Sequence, residues 1–245
     1  MPLPIKITTE QGQQRQESHG GAIIPQVHQT VVIDLTVTLP QRELTQLFRT
    51  IEAALPDVSN RVVQFASAYD SEGASTIAFE TAIIAAQMMG KRVLFIDTGT
   101  SQLDVYGSFS DNISTPLDTL LLSGRPPYEA IAQAAGTELY VTRLRQRDGD
   151  GVPTASLTIM EQALENLRPV FDLIVIDSPA ILKDAYAIAF SKLAHGSILV
   201  VEAERTRAPV AAETKRVIES GGGRVIGSVL SNRRFYIPKF IYRLF

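Results

Sequence analysis

Apolar residues along the chain follow two alternating patterns, short runs typical of buried strands and longer stretches with helical spacing. The runs that predict strands are RVVQFASA, KRVLFID, ELYVTRL, FDLIVID, GSILVVEA and RVIGSVLS. The stretches that predict helices are STIAFETAIIAAQMMG, TASLTIMEQALENLR, a short segment near Asp184 and the segment from Pro209 to Ser220. Strands that alternate with helices indicate a mostly parallel sheet with helices on both faces, so we predict an α/β fold.

The first part of the chain departs from this alternation. Residues 1 to about 30 mix Pro, Gln, Gly and His without a helical or strand period, and a short strand is predicted within TVVIDLTVTLP. The next stretch, QRELTQLFRTIEAAL, predicts an amphipathic helix, with an apolar face of Leu44, Leu47, Ile51 and Leu55. We therefore predict a flexible arm over residues 1–40, one domain over residues 41–232 and a tail over residues 233–245.

Composition narrows the classes of function. The chain has 245 residues, 45% of them hydrophobic, and a net charge of −3, without the concentrated basic patch that a nucleic-acid partner needs. It contains no cysteine, which excludes disulfides, thiolate zinc sites and thiol nucleophiles. The three histidines, His19, His28 and His195, are too scattered in sequence to predict a metal centre.

The start of the chain, MPLPIKITTE, lacks the apolar core of a signal peptide, and no stretch reaches the roughly 20 apolar residues that span a bilayer. We expect a soluble, cytoplasmic protein that reaches a membrane through a partner or through its tail. That tail, RRFYIPKFIYRLF, combines aromatic and basic residues that suit docking on a partner or an anionic membrane face. It is equally consistent with a tail that folds back on its own domain.

Ligands of parallel sheets bind beyond the carboxyl ends of the strands, which points to the segment from Ala68 to Ser75 and to Asp97 and Asp177. The segment follows a strand and opens a helix, as in the phosphate loop G-x-x-x-x-G-K-[ST]. In that loop backbone amides and the helix dipole surround phosphate, the lysine neutralises it, and the Ser or Thr holds magnesium. Here the lysine position holds Ala74.

The motifs together resemble the bacterial tyrosine kinases of capsule and exopolysaccharide assembly, which are related to the ParA/MinD group of P-loop proteins. The resemblance covers roughly residues 42–235 and rests on ASAYDSEGAST (near PGEGKST in the family), RVLFIDTGTS (near VLLIDADLR) and FDLIVIDSPA (near YDLVIIDTPP). Fainter similarities are FRTIEAAL, PLDTLLLSG, ILVVEAERTR and VIGSVLSNR. The order and spacing of these motifs make the resemblance specific.

The resemblance implies a magnesium nucleotide site only part of which is retained. Ser75, Asp97 and Asp177 match the magnesium and catalytic positions, whereas Gly99 replaces the second aspartate of the second motif and Ser101 replaces its arginine. The nucleotide-binding candidates are Tyr69, Asp70, Ser71, Glu72, Gly73, Ala74, Ser75, Thr76 and Asn232. A lost charge-assisted contact weakens binding by roughly ten- to a hundred-fold, so we expect ATP or ADP with magnesium to bind weakly or not at all, with little turnover.

Simpler interpretations of the same residues stand beside this one. SEGAST also fits a helix N-cap turn in which Ser71 or Ser75 is the cap, and Asp97 and Asp177 also fit residues that end strands. An active ATPase or tyrosine autokinase would need a substitute cation, for which Lys91, Lys183 and the arginines of residues 143–147 are the candidates. A ParA/MinD-like positioning protein would need an extra lysine early in the loop, where Tyr69, Asp70 and Ser71 stand.

Partners are implied by the resemblance as well. The family assembles through a helix with an E-x-x-R-x-x-R pattern, and Glu43, Gln46 and Arg49 occupy those positions, so two of the three match. An ordinary amphipathic surface helix explains Glu43 and Arg49 equally well. The family's tyrosine cluster is reduced to Tyr236 and Tyr242. We predict a catalytically impaired, kinase-like component of exopolysaccharide synthesis or export that binds a membrane chain-length or co-polymerase protein.

Overall fold

Eight strands and six helices alternate along the part of the chain that the computed structural model describes, namely residues 29–31, 37–98, 113, 115–144 and 154–232. The strands are β1 (Gln29–Val31), β2 (Arg61–Ser67), β3 (Val93–Asp97), β4 (Ala132–Ala134), β5 (Leu139–Arg143), β6 (Leu173–Asp177), β7 (Gly196–Glu202) and β8 (Val225–Ser231). The helices are α1 (Gln41–Ala54), α2 (Ala74–Gln87), α3 (Leu117–Leu122), α4 (Thr154–Leu167), α5 (Ala185–Leu193) and α6 (Ala208–Ser220). A 3₁₀ turn spans Pro127–Ala130.

All eight strands form one sheet in the order β1-β4-β5-β3-β6-β2-β7-β8. Every neighbouring pair is parallel except β4 and β5, which are antiparallel. The carboxyl ends of β2, β3, β5, β6, β7 and β8 therefore lie along one edge of the sheet. The predicted α/β fold with a mostly parallel sheet is confirmed.

The central strands are buried on both sides because helices cover both faces of the sheet. On one face Phe65 of β2 and Phe95 of β3 pack with Phe79 of α2, where the rings of Phe79 and Phe95 meet edge to face at 5.1 Å. On the other face Ile174 of β6 packs with Leu164 of α4. This double burial explains why these strands read as continuous apolar runs in the sequence.

The segment predicted as an N-terminal arm, residues 1–40, contains described residues that contact the rest of the domain. β1 pairs in parallel with β4, so part of the predicted arm belongs to the sheet. Thr38 and Leu39 donate their backbone N–H groups to the buried carboxylate of Glu80 on α2, at 3.0 and 2.8 Å, and the Thr38 hydroxyl donates to it too. These contacts hold residues 38–39 against α2. Residues 1–28 and 233–245 lie outside the described residues.

Three short elements have no counterpart among the predictions, namely β4, α3 and the 3₁₀ turn. Each has six residues or fewer, too few to repeat a strand or helix period. Among the described helices, none combines the length and the apolar character needed to cross a membrane.

Candidate functional site

The loop of residues 68–73 joins β2 to α2 at the carboxyl edge of the sheet. Gly73 is the N-cap residue of α2 and has φ +90°, a left-handed conformation that favours glycine, and Ser71 also has a positive φ of 63°. No side chain caps α2, so the simpler interpretation, in which Ser71 or Ser75 is a helix cap, is wrong. Instead the Ser75 hydroxyl donates to Asp177 Oδ1 at 3.0 Å.

Glu72 holds the loop together from within. Its side chain is only 1% exposed, and its Oε2 accepts the backbone N–H groups of Ala68 and Tyr69 at 2.8 and 3.2 Å. Its Oε1 accepts the hydroxyl of Thr206, from the loop after β7, and its backbone carbonyl accepts the hydroxyl of Ser231 at 2.6 Å. A carboxylate of the protein itself therefore satisfies the first amides of the loop, which ties the loop to the ends of β7 and β8.

Ala74, which by sequence aligns with the lysine of a phosphate loop, is the first residue of α2. Its methyl group is 8% exposed and belongs to the apolar cluster between α2 and the sheet. The start of the helix therefore supplies backbone N–H groups to a ligand without an ammonium group from this position.

Two carboxylates lie next to this helix start. Asp97 and Asp177 end β3 and β6 and are direct partners in the parallel register of those strands. Asp177 is fully buried, and its Oδ2 atom has no hydrogen-bond partner among the residues that the structure describes. Burial, followed by the nearby charge of Asp97, raises the pKa of Asp177 well above its ordinary value, while the Ser75 hydrogen bond acts in the opposite direction.

These groups fit a magnesium ion better than they fit a free phosphate. Carboxylate and hydroxyl oxygens are ligands that Mg²⁺ prefers, and Asp177 Oδ2 is a buried oxygen without a hydrogen-bond partner among the described residues. In the described part of the chain no three His, Cys, Asp or Glu side chains converge, so the protein ligands at this position would be Asp97, Asp177 and the hydroxyl of Ser75. A bound magnesium would neutralise the aspartates and the phosphates of a nucleotide.

The candidate substitutes for the lysine differ in where they lie. Lys91 precedes β3 at the opposite edge of the sheet, and its Nζ lies 3.6 Å from Glu52, so it does not reach the loop. Lys183, in contrast, forms an ion pair with Asp70 of the loop, with 2.6 Å between Nζ and Oδ2. Arg143 is the register partner of Asp97 and donates from Nη2 to the Ile113 carbonyl at 3.2 Å. Arg145 and Arg147 lie outside the described residues.

The remaining nucleotide-binding candidates line the rim of the loop. Tyr69, Asp70 and Ser71 are exposed there, and Thr76 lies in the first turn of α2. Asn232 directly follows Ser231, which contacts Glu72, so the structure brings Asn232 to the same edge. Its Nδ2 donates to Glu202 Oε1 at 3.2 Å. Gly99 and Ser101 lie outside the described residues.

Thr206 and Ser231 are site residues that sequence analysis missed. The feature that could have identified them is their position at the carboxyl ends of β7 and β8, which meet the loop at the same edge of the sheet. His195 lies just before β7, away from this edge, and its Nδ1 accepts the Val62 N–H at 2.8 Å. On α1, the residues Glu43, Gln46 and Arg49 share one exposed face.

The sheet order, the strand–loop–helix and the paired aspartates define a P-loop type of α/β protein. No protein-family model matches the chain. The chain is 26% identical to tyrosine-protein kinase YwqD of Bacillus subtilis over 82% of this chain and 86% of that protein. It is 27% identical to tyrosine-protein kinase CpsD of Streptococcus agalactiae over 70% of this chain and 74% of that protein.

Longer relatives and solved structures agree with this similarity. The succinoglycan biosynthesis transport protein ExoP of Rhizobium meliloti is 28% identical over 80% of this chain, which spans 26% of ExoP. The kinase domain of the Escherichia coli tyrosine kinase ETK superposes with a TM-score of 0.64 at 20% identity, over 81% of this chain and 79% of that one. MinD of Pyrococcus horikoshii, solved with Mg-ADP, superposes with a TM-score of 0.56 at 19% identity, covering 75% and 76% of the two chains. The chain is thus related in sequence to bacterial tyrosine kinases and has the MinD-like P-loop fold.

Proposed function

We propose that this protein is a kinase-like component of capsule or exopolysaccharide synthesis or export that binds a membrane co-polymerase protein and transfers phosphate poorly or not at all. The similarity to YwqD, CpsD and ExoP supports the pathway. The observation that carries the catalytic part of the proposal is Ala74, a buried methyl group at the start of α2 where a phosphate loop has its lysine.

The physical argument concerns charge. Phosphoryl transfer depends almost entirely on positioned charge that stabilises the transition state. Removing one such stabilising group typically slows a reaction by about 10²- to 10³-fold. Asp70 and Glu72 also add negative charge to the loop, which opposes the approach of a polyphosphate. The backbone amides and the magnesium ligands remain, so weak binding of Mg-ATP or Mg-ADP is compatible with slow turnover.

An interaction role is compatible with the surfaces that remain. We place the protein at the cytoplasmic face of the inner membrane, held there by its partner, with the exposed Glu43, Gln46 and Arg49 face of α1 available for contact with a second copy. Neither contact requires a completed nucleotide site.

The test compares the native protein with Ala74→Lys and with Ala74→Met, a matched variant of similar length without the charge. Isothermal titration with Mg-ADP should show binding tightened by about 10- to 100-fold in Ala74→Lys and unchanged in Ala74→Met, because one charge-assisted contact has this size. ATP hydrolysis and tyrosine phosphorylation by the native protein should stay near background. Turnover by the native protein at an ordinary kinase rate, on the order of 1–100 per second, would contradict the proposal.

A second measurement tests the interaction role directly. Binding to the cytoplasmic segment of a co-expressed co-polymerase protein should be equal for the native protein and for Ala74→Lys. If Ala74→Lys binds this segment and the native protein does not, the interaction depends on a completed nucleotide site.

A further inference from the structure

The segment that follows β6 runs alongside the end of β2 and the start of the loop. The N–H of Ser178 donates to the Phe65 carbonyl at 3.1 Å, and the N–H of Ile181 donates to the Ser67 carbonyl at 2.9 Å. Leu182 continues the series with a 3.4 Å hydrogen bond to the Ala68 carbonyl. These bonds place the backbone of Lys183 one residue beyond a segment that is attached to the loop.

From this position the side chain of Lys183 extends to the exposed surface of the loop. Its ammonium group lies 2.6 Å from Asp70 Oδ2, and the two side chains are 56% and 61% exposed. Of the ion pairs between described residues, this is the one that involves the loop of residues 68–73. An exposed pair of this kind contributes little to stability, so the ammonium can leave Asp70 for a stronger anion at small cost.

A second, independent feature of the same helix start points to a ligand. Within the described part of the chain, Asp177 Oδ2 is buried without a hydrogen-bond partner, while Oδ1 of the same carboxylate accepts the hydroxyl of Ser75 in the first turn of α2. A divalent cation at this position would supply the missing partner and would itself attract phosphate oxygens. The α2 start thus offers amides and a metal position, and it lacks only the lysine's charge.

We propose that Lys183, reaching the loop from the segment after β6, replaces the lysine missing at position 74 as the cation that contacts the phosphates of a magnesium-bound nucleoside diphosphate. Asp70 holds the ammonium beside the loop in the absence of this ligand and competes with the phosphates for it. The inference rests on the proposed nucleotide site and adds to it the residue that supplies the charge. The expected effect of Lys183 is on the binding of the nucleotide.

Isothermal titration with Mg-ADP tests this assignment in the full chain. Lys183→Ala should weaken binding by about tenfold or more, and Lys183→Arg should retain most of it, since the size of one charge-assisted contact sets the loss. Asp70→Asn should tighten binding several-fold because it removes the competing carboxylate. The matched control is Lys215→Ala, whose side chain is 54% exposed and lies 3.7 Å from Glu219 on α6, and it should bind like the native protein.

Titration with Mg-pyrophosphate provides a second probe of the same contact. Equal losses for both ligands in Lys183→Ala would support a contact to phosphates, whereas a loss for Mg-ADP alone would overturn that assignment. Native protein that binds neither ligand, or Lys183→Ala that binds as tightly as native protein, would also overturn it.

The outcomes separate this inference from the proposed function. If Ala74→Lys gains binding while Lys183→Ala changes nothing, the impaired-site proposal stands and the assignment of Lys183 fails. If the native protein turns over ATP rapidly and Lys183→Ala loses binding, the assignment stands and the proposal of impaired catalysis fails.

Discussion

The candidate site at the carboxyl edge of the sheet has two parts, which differ in the groups that they offer to a ligand. We call them the metal side, formed by Ser75, Asp97 and Asp177, and the phosphate side, formed by Ala74 and the loop of residues 68–73. On the metal side, Ser75 and Asp177 are hydrogen-bonded at 3.0 Å, and Asp97 stands beside Asp177 in register. On the phosphate side, Ala74 offers a methyl group, and Glu72 occupies the first loop amides with its own carboxylate. The metal side offers oxygen atoms to a cation, including the buried Asp177 Oδ2, which has no hydrogen-bond partner among the described residues. On the phosphate side, Glu72 of the protein itself binds the loop amides.

A loop with an alanine at position 74 is thus held in shape by contacts within the protein. In an ordinary phosphate loop the bound anion helps to order the backbone amides. Here Glu72, Thr206 and Ser231 provide that order from within the protein. We expect the contacts of Glu72 on the phosphate side to stabilise the folded protein. We expect the ionised form of Asp177 on the metal side to destabilise it.

The largest expected effect comes from removing the carboxylate inside the loop. Glu72→Ala should lower the free energy of unfolding by about 3 kcal/mol, because the buried amide of Ala68 and the partly buried amide of Tyr69 lose a charged acceptor. Glu72→Gln, which keeps one acceptor oxygen, should lose about half as much. Urea unfolding followed by circular dichroism measures both.

The control for this prediction is Glu213→Ala, on the exposed surface of α6, which should leave the unfolding midpoint unchanged. A Glu72→Ala variant that unfolds at the native urea concentration would show that the loop does not depend on its internal carboxylate.

A substitution on the metal side is expected to increase the free energy of unfolding, whereas Glu72→Ala decreases it. At a pH above the folded-state pKa of Asp177, Asp177→Asn should raise the free energy of unfolding by about 2 kcal/mol, since it removes a buried charge whose Oδ2 atom has no hydrogen-bond partner among the described residues. The pKa of Asp177 is raised in the folded state, so the native protein binds this proton more readily than the unfolded chain does. Its contribution to stability is present at low pH and is lost as the pH rises through the folded-state pKa.

The difference between Asp177→Asn and the native protein should therefore grow as the pH increases, in denaturant unfolding measured at a series of pH values. Magnesium should stabilise the native protein and leave Asp177→Asn unaffected. A stabilisation that is the same at every pH would exclude ionisation of Asp177 as its cause.

The smallest of these effects concerns the shape of the loop. Gly73→Ala should cost about 1.5 kcal/mol, because φ is +90° there and an added Cβ would lie 3.4 Å from Ser231 Cβ. Gly90→Ala is the matched control, since Gly90 also has a positive φ, of 62°, but an added Cβ there meets nothing within 4 Å. Thermal unfolding should rank Gly73→Ala as the more destabilised of the two. Equal losses would mean that contact with Ser231 adds nothing to the backbone cost.

Much of the architecture was predictable because it depends on local patterns. Continuous apolar runs such as LIVID at β6 mark strands buried on both faces, and helical spacing marks α1, α2 and α4. The carboxyl-end rule for parallel sheets then predicts the loop, Asp97 and Asp177 at one edge of the sheet. A short strand near residue 30 was predicted and is present as β1, but its pairing with β4, and β4 itself, were beyond this reasoning because they depend on strands far away in sequence.

Residue identity and local periodicity were enough to establish the order of elements, the position of the loop and the alanine at position 74. The contact of Glu72 with Thr206, 134 residues away, and that of Lys183 with Asp70, 113 residues away, arise from the way the chain folds. The same is true of Asp177 Oδ2, which is buried without a hydrogen-bond partner among the described residues. Contacts of this kind form between side chains at the ends of strands that become neighbours in the sheet. Because these strands are far apart in sequence, no local pattern predicts the contacts.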